Sequence, residues 1–315
     1  MVRAMRLVVF PGQGSQAPGM GRDFFENIPV AKQVFQEVSE ALHFDVAALC
    51  LNSDAETLRR TENAQIALFT CGVAAYRALA ERTKVDAAFM AGHSVGEYAA
   101  LVAAGWLDLA DGARLVRRRG DLMANAGSQR PGTMAAVLGM ERDALEDLCR
   151  AHSDERQTVV IANDNCPGQL VVSGDVDAVH ALSADAPGMG AKRVLPLNVS
   201  GAFHSPLMEE SAAQLAEPLQ QASWRIGDVK VISNVTARPE TDWANLLVEQ
   251  LRRPVRWCES IHFALGQGVT TQIECGNGEV LGGLLRRIEP NRQSLRVLDT
   301  ATLDETVRAL EAENE

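Results

Sequence analysis

The sequence predicts an α/β protein, with a hydrolase-like parallel-sheet core that carries an inserted ferredoxin-like (α+β) subdomain. Three observations predict it. Short apolar runs alternate with helix-period segments from Arg6 to Ala126, the pattern of a parallel sheet covered by helices. Gly92-His93-Ser94-Val95-Gly96 fits G-x-S-x-G where an apolar run meets a helix-forming run. Between Thr133 and Leu197 the segments follow the order β-α-β-β-α-β, the ferredoxin-like signature.

The first strand, Arg6 to Phe10, runs into a loop spanning Pro11 to Gly19. Helical periodicity covers Ala31 to Leu42, Asp54 to Arg60 and Ala64 to Arg82. Ala87 to Ala91 reads as the second strand, and Glu97 to Ala104 as the helix behind the Ser94 turn. A further helix is expected from Leu109 to Ala126. The breaker cluster at residues 127–132 then interrupts the pattern. Beyond it, strands at 133–138, 158–162, 169–173 and 192–197 interleave with helices at 142–152 and 176–183, with a turn around Asn165-Cys166-Pro167-Gly168. The two ends of this unit should lie close together, as the ends of an insertion must. The expected division is residues 1–130 and 199–315 for the core and 131–198 for the subdomain. After Asn198 the core resumes, with helices near 206–221 and 242–251 and strands at 229–235 and 271–275. Glu311 to Glu315 reads as a frayed tail.

Composition narrows the function classes. The chain has 315 residues, 46% of them hydrophobic, which is enough for a substantial core. Its 30 basic and 41 acidic residues give a net charge of −11, which argues against a nucleic-acid binder. No apolar run approaches the ~20 residues of a membrane span. Leu7 to Phe10 is too short for a signal peptide, so a soluble cytoplasmic protein is expected. The six cysteines are scattered without a C-x-x-C pair, which favours free buried thiols and no metal.

A serine on a sharp strand-to-helix turn is pushed out of the sheet edge toward a substrate, and the flanking glycines leave room for the tight backbone. The bland alternative is a serine N-cap on an ordinary helix. A nucleophilic serine needs a base. His43, His152, His180 and His262 lie in or beside predicted helices, and the His93 side chain should point away from that of Ser94. His204 lies in the loop Val199 to Pro206, and loops over a rigid sheet are where catalytic groups concentrate. It also follows the serine in the chain, as in hydrolase-type folds. No acidic residue stands out as a third member, since Asp164, Asp175 and Asp228 read as turn residues. Residues 12–17 fit G-x-G-x-x-G/A, but Pro18-Gly19 and Gly21 delay the next helix, so no nucleotide cofactor is expected. The better reading is a loop whose Gln13 N–H completes an oxyanion hole with the N–H of Val95. Arg119, beside Gly120, suggests a semi-buried arginine that grips an anionic acyl group.

Together these segments resemble the malonyl-CoA:acyl-carrier-protein transacylase family, over nearly the whole chain from Leu7 to Ile288. The matching motifs are the Phe10 to Gln16 loop, Gly92 to Tyr98, Arg119-Gly120 with Met123, and Gly201 to Ser205. Asn165-Cys166-Pro167-Gly168-Gln169 is similar to the family's N-S-P-G-Q turn, with Cys in the Ser place. Val248 to Leu251 followed by Pro254 to Trp257 resembles the segment that partners the histidine. The resemblance implies Ser94 as nucleophile, His204 as base and Gln250 as the amide acceptor that orients the imidazole. It implies Arg119 as the grip on the malonyl carboxylate, Gln13 and Val95 as oxyanion donors, and Asn165 and Phe203 as substrate-binding residues. Phe203 resembles malonyl-selective members, because a bulky ring crowds an α-methyl branch. At Cys275-Gly276-Asn277-Gly278-Glu279 the chain departs from the family's Gly-Pro-Gly-Lys, and Asn277 is expected to take the turn conformation itself.

The implied reaction moves malonyl from malonyl-CoA to the phosphopantetheine thiol of acyl carrier protein, for fatty acid synthesis. A polyketide or malonate decarboxylase carrier is the alternative acceptor. A serine thioesterase or esterase would transfer to water instead, and a non-enzymatic assembly subunit would not need the filled catalytic positions. An acidic carrier calls for a locally basic docking surface, with Arg117, Arg252, Arg253, Arg286 and Arg287 as candidates.

Overall fold

Two sheets organise residues 5–313, the part of the chain that the computed structural model describes. In chain order the strands are β1 (Met5–Phe10), β2 (Ala87–Gly92), β3 (Gly132–Leu138), β4 (Val159–Cys166), β5 (Gln169–Asp175), β6 (Arg193–Pro196), β7 (Lys230–Ile232), β8 (Val269–Cys275) and β9 (Gln293–Val297).

The first sheet has the order β7-β2-β1-β8-β9, and every neighbouring pair is parallel. Strand β1 lies at its centre. Val8 and Phe10 face one apolar layer, built mainly from the helices Thr61–Arg82, Gly96–Ala103 and Leu109–Gln129. Leu7 and Val9 face the other, with Trp257, Ile261, Leu281 and Leu284. A strand buried on both faces has no polar side to alternate with, which is why Leu7-Val8-Val9-Phe10 reads as one apolar run. The helix Thr61–Arg82 is buried on nearly every side from Thr61 to Leu79, so its apolar residues also run all round.

The second sheet has the order β4-β5-β3-β6, and its pairs are antiparallel. The helices Arg142–Ala151 and Val176–Asp185 cover it through Leu145, Leu148, Val179 and Leu182. Its β4 edge is stitched to the core: Val255 N–H donates to Ala162 O at 2.8 Å, and Asp164 N–H donates to Val255 O at 3.0 Å. This seam sets one wall of the site described below.

Two expectations are corrected. Strand β4 runs to Cys166, through two register irregularities, so the expected turn shrinks to Pro167-Gly168. The chain end is not frayed as far as it is described: helix Thr300–Ala312 closes it, and the Glu313 carboxylate accepts from Arg6 Nη2 at 3.0 Å and Thr271 Oγ1 at 3.1 Å. Asn314 and Glu315, the rest of the expected tail, lie outside the described residues. Among the described residues no helix is long and apolar enough to cross a membrane. No cluster of metal-ligating side chains occurs among them either.

Candidate active site

The turn after β2 is shaped by two glycines. A Cβ on Gly92 would fall 1.9 Å from the carbonyl carbon of Gly96, and one on Gly96 would fall 2.2 Å from Phe10 O. The helix Gly96–Ala103 can begin this close to β1 and β2 only without those side chains. Ser94 itself has φ 52, in the left-handed region that costs a non-glycine residue energy. Asn234 holds it there. Its Oδ1 accepts from Ser94 N–H at 2.8 Å, and its Nδ2 donates to Gly92 O at 2.7 Å. With the Ser94 N–H engaged, the next donor at the helix start is that of Val95.

His204 also has a positive φ, 56. Its Nε2 lies 2.7 Å from Ser94 Oγ, and its Nδ1 lies 2.7 Å from the main-chain carbonyl of Gln250. A carbonyl can only accept, so Nδ1 carries the proton and Nε2 presents its lone pair to the serine hydroxyl. Burial, reinforced by the nearby Arg119 charge, pushes the His204 pKa down to about 3. The imidazole is therefore neutral and ready to take a proton.

Gln250 needs a correction. Its main-chain oxygen, not its amide side chain, orients the imidazole. The side chain works one step away: Oε1 accepts from Arg119 Nη2 at 2.9 Å, and Nε2 donates to Ser94 O at 2.9 Å and to Glu97 Oε2 at 2.6 Å. The acceptor for His204 stays uncharged, as a neutral amide would have been.

Arg119 is fully buried rather than half-buried. It lies behind Ser94, with Nη2 donating to Ser94 Oγ at 3.0 Å and Nη1 donating to Gln65 Oε1 at 2.6 Å. Its guanidinium sits 5.8 Å from the Tyr98 ring centroid. Its Nε finds no hydrogen-bond partner among the described residues, an open donor in a dry environment.

In front of Ser94 lies a cavity of about 360 Å³, at the seam between the two sheets. Gln13, His93, Asn163, Phe203 and His204 line it together with Arg59 at an exposed position. Among the described residues, the main-chain N–H groups of Gln13 and Val95 are donated to no protein acceptor. The Val95 side chain points into the core. Asn165 is corrected: it is absent from the cavity wall, and its Oδ1 lies 2.8 Å from His93 Nε2. Asn163, two residues earlier on β4, lines the cavity instead. His93 packs its ring on Trp257 at 5.5 Å and also forms part of that wall.

Three residues of this constellation were missed in the sequence. Glu97 is the sole charge in an apolar helix, Gln65 is a lone amide in the run Ala64 to Ala75, and Asn234 follows the short strand β7. A polar group inside an apolar segment was the available signal for the first two. Of the docking candidates, Arg117, Arg252, Arg253 and Arg286 each pair with a carboxylate, and Arg287 donates to Gln169.

The acyl transferase domain family matches residues 7–281. Malonyl CoA-acyl carrier protein transacylase of Bacillus subtilis (strain 168) is 43% identical over 310 residues, 98% of this chain and 98% of that protein. The chain belongs to the malonyl-CoA:acyl-carrier-protein transacylase family. Among solved members, the enzyme from Xanthomonas oryzae pv. oryzae superposes with a TM-score of 0.93 at 40% identity, covering 98% of this chain and 99% of that one. A malonyl-transacylase in complex with a holo type II PKS acyl-carrier protein gives 0.93 at 37% identity, over 97% and 100%. The chain's departure from the transacylase family's Gly-Pro-Gly-Lys segment is accommodated differently from expectation. Gly276 and Gly278 take the positive φ values, 129 and 91, while Asn277 donates its side chain to Ser15 O.

Proposed function

We propose that this chain carries malonyl from malonyl-CoA to the phosphopantetheine thiol of acyl carrier protein, for fatty acid synthesis, through an ester on Ser94. The observation that carries this reading is the position of Ser94 Oγ, 2.7 Å from a neutral imidazole on one side and 3.0 Å from the buried Arg119 on the other.

His204 Nε2 takes the hydroxyl proton as Oγ attacks the thioester carbonyl carbon. The carbonyl oxygen becomes an oxyanion against the Gln13 and Val95 N–H groups, which together contribute several kcal/mol in the transition state. The carbon–sulfur bond breaks, and the CoA thiolate leaves with the proton from Nε2. Once esterified, Oγ is a poor acceptor, so Arg119 Nη2 is released for the malonyl carboxylate, alongside the open Nε. The carrier thiol then gives its proton to His204 Nε2 and its sulfur attacks the ester carbon; the bond from that carbon to Ser94 Oγ breaks, and Oγ takes the proton from Nε2.

An esterase has no need of a buried cation behind its nucleophile. That cation supports a substrate that brings its own negative charge. The likeness to a transacylase solved with a polyketide carrier keeps that type of acceptor as the second reading. A cytoplasmic setting belongs to the same proposal. The test is to incubate the protein with malonyl-CoA and a holo carrier protein and to measure malonyl-carrier against free malonate. Malonyl-carrier should dominate. Free malonate as the main product would make the protein a thioesterase, and preference among fatty-acid and polyketide carriers decides between the two acceptors.

A further inference from the structure

Glu97 is a charge that the reaction above does not use. It is wholly buried in the first turn of the helix Gly96–Ala103. Oε1 accepts from Asn234 N–H at 2.6 Å, and Oε2 accepts from Gln250 Nε2 at 2.6 Å. The charged and titratable groups that face it are Arg119 and Tyr98, with His204 beyond Arg119.

The two ends of a Gln amide have nearly the same shape, so the polarity of the neighbours decides which way it points. An ionised carboxylate only accepts. Glu97 therefore draws the Gln250 NH₂ toward itself and Ser94 O, which leaves Gln250 Oε1 facing Arg119 Nη2 at 2.9 Å. That same nitrogen reaches Ser94 Oγ at 3.0 Å. We propose that Glu97 is a positioning residue, whose acceptor-only carboxylate fixes the Gln250 amide and, through it, the Arg119 guanidinium against the nucleophile. This inference rests on the acyl-transfer reading of Ser94.

The isosteric change Glu97→Gln tests polarity at constant shape. A Gln at 97 can accept from Asn234 N–H with its oxygen, but its NH₂ then meets the Gln250 NH₂. Flipping Gln250 moves the donor–donor clash to Arg119 and leaves Ser94 O without its donor. No arrangement satisfies every buried group. In a Gln250→Met background the amide that Glu97 orients is absent, so the same change at 97 meets no opposing NH₂ there.

The experiment measures Ser94 acylation by malonyl-CoA by intact mass, and then kcat and KM for malonyl transfer to a holo carrier, for the wild type, Glu97→Gln, Gln250→Met and their double variant. Wild-type acylation comes first: its absence would sink the functional reading itself, separately from this inference. With it present, Glu97→Gln is expected to lower kcat by about tenfold or more with KM within about threefold. In the Gln250→Met background the same Glu97→Gln change should lower kcat by no more than about threefold, because its effect runs through the Gln250 amide. A Glu97→Gln protein with kcat within tenfold of wild type overturns the proposal. So does a Glu97→Gln loss that is undiminished in the Gln250→Met background, because a role independent of Gln250 would not respond to its amide.

Discussion

The two sides of Ser94 are built from opposite materials. Behind it, Arg119, Gln250, Glu97, Gln65 and Asn234 are all buried and joined by hydrogen bonds without a gap in the chain of contacts. In front, the cavity mixes Phe203, Met134, Asn163 and His93, and Arg59 at its exposed edge is in no ion pair among the described residues. The difference teaches where each task is done. Fixed polarity behind Ser94 serves the chemistry, because every buried polar side-chain atom of that network except Arg119 Nε has a partner and an unpaired one is costly. A mixed wall in front sets what may approach, with contacts that can be traded for modest changes in free energy.

Substitutions at Ser94, at His204 and in the network behind them should therefore be severe, and those in the rest of the front wall mild. Ser94→Ala should abolish malonyl transfer and covalent labelling altogether. His204→Ala should lower kcat by about 10²–10⁴-fold, the range for loss of a positioned base. Residual labelling at the wild-type rate would remove His204 from the reaction. Arg119→Ala should cut malonyl transfer by roughly 100-fold, the equivalent of a lost buried charge-assisted contact, while acetyl transfer falls less. Equal losses for both acyl groups would remove Arg119 as the grip on the malonyl carboxylate.

Acid should also act from behind. Burial raises the Glu97 pKa to about 7, and His204 is held down near 3. Lowering the pH from 8 to 5 leaves the His204 base free but protonates Glu97, which then presents a donor to Gln250. The rate should fall by up to about 100-fold over that window if the ionised form alone is active. For stability the sign is reversed. A carboxylate with a raised folded pKa favours the folded state most below its unfolded pKa, and that contribution is lost as pH rises toward 7. An NMR titration of the His204 ring with a midpoint between 6 and 7 would assign the acid limb to the base instead.

In front, Phe203→Ser should raise methylmalonyl over malonyl use by about 10–200-fold, the worth of one methyl in a pocket. The smallest expected effect belongs to Arg59→Ala. It should raise KM for malonyl-CoA by about threefold at low salt, and less at high salt, because an exposed charge is screened. A larger effect from Arg59 than from Arg119 would invert the comparison.

The sequence was most readable where one force decides the outcome. The buried strand β1, the helix Thr61–Arg82 and the glycines of the elbow each follow from packing alone. Ser94, His204 and Arg119 were legible as candidates from residue type and motif, and they meet within hydrogen-bond reach. The network behind them was not readable, since it depends on contacts between residues 65, 97, 119, 234 and 250 that only the fold brings together. Gln250 shows the limit clearly: its position was right and its atom was wrong. The β9 edge was missed because it is short and half-exposed, whereas the helix Thr300–Ala312 carries Leu303, Val307 and Leu310 at helical spacing behind the Asp299 cap, a signal that was available.

The most direct test of the malonyl-serine route is to trap it. The protein is mixed with malonyl-CoA in the absence of carrier, quenched, digested, and the peptide containing Ser94 is weighed. One malonyl group per chain should appear on Ser94 and disappear on adding holo carrier protein, with malonyl-carrier formed in equal amount. Malonyl-carrier formed at full rate with an unmodified Ser94 peptide, or label on another residue, would contradict the account.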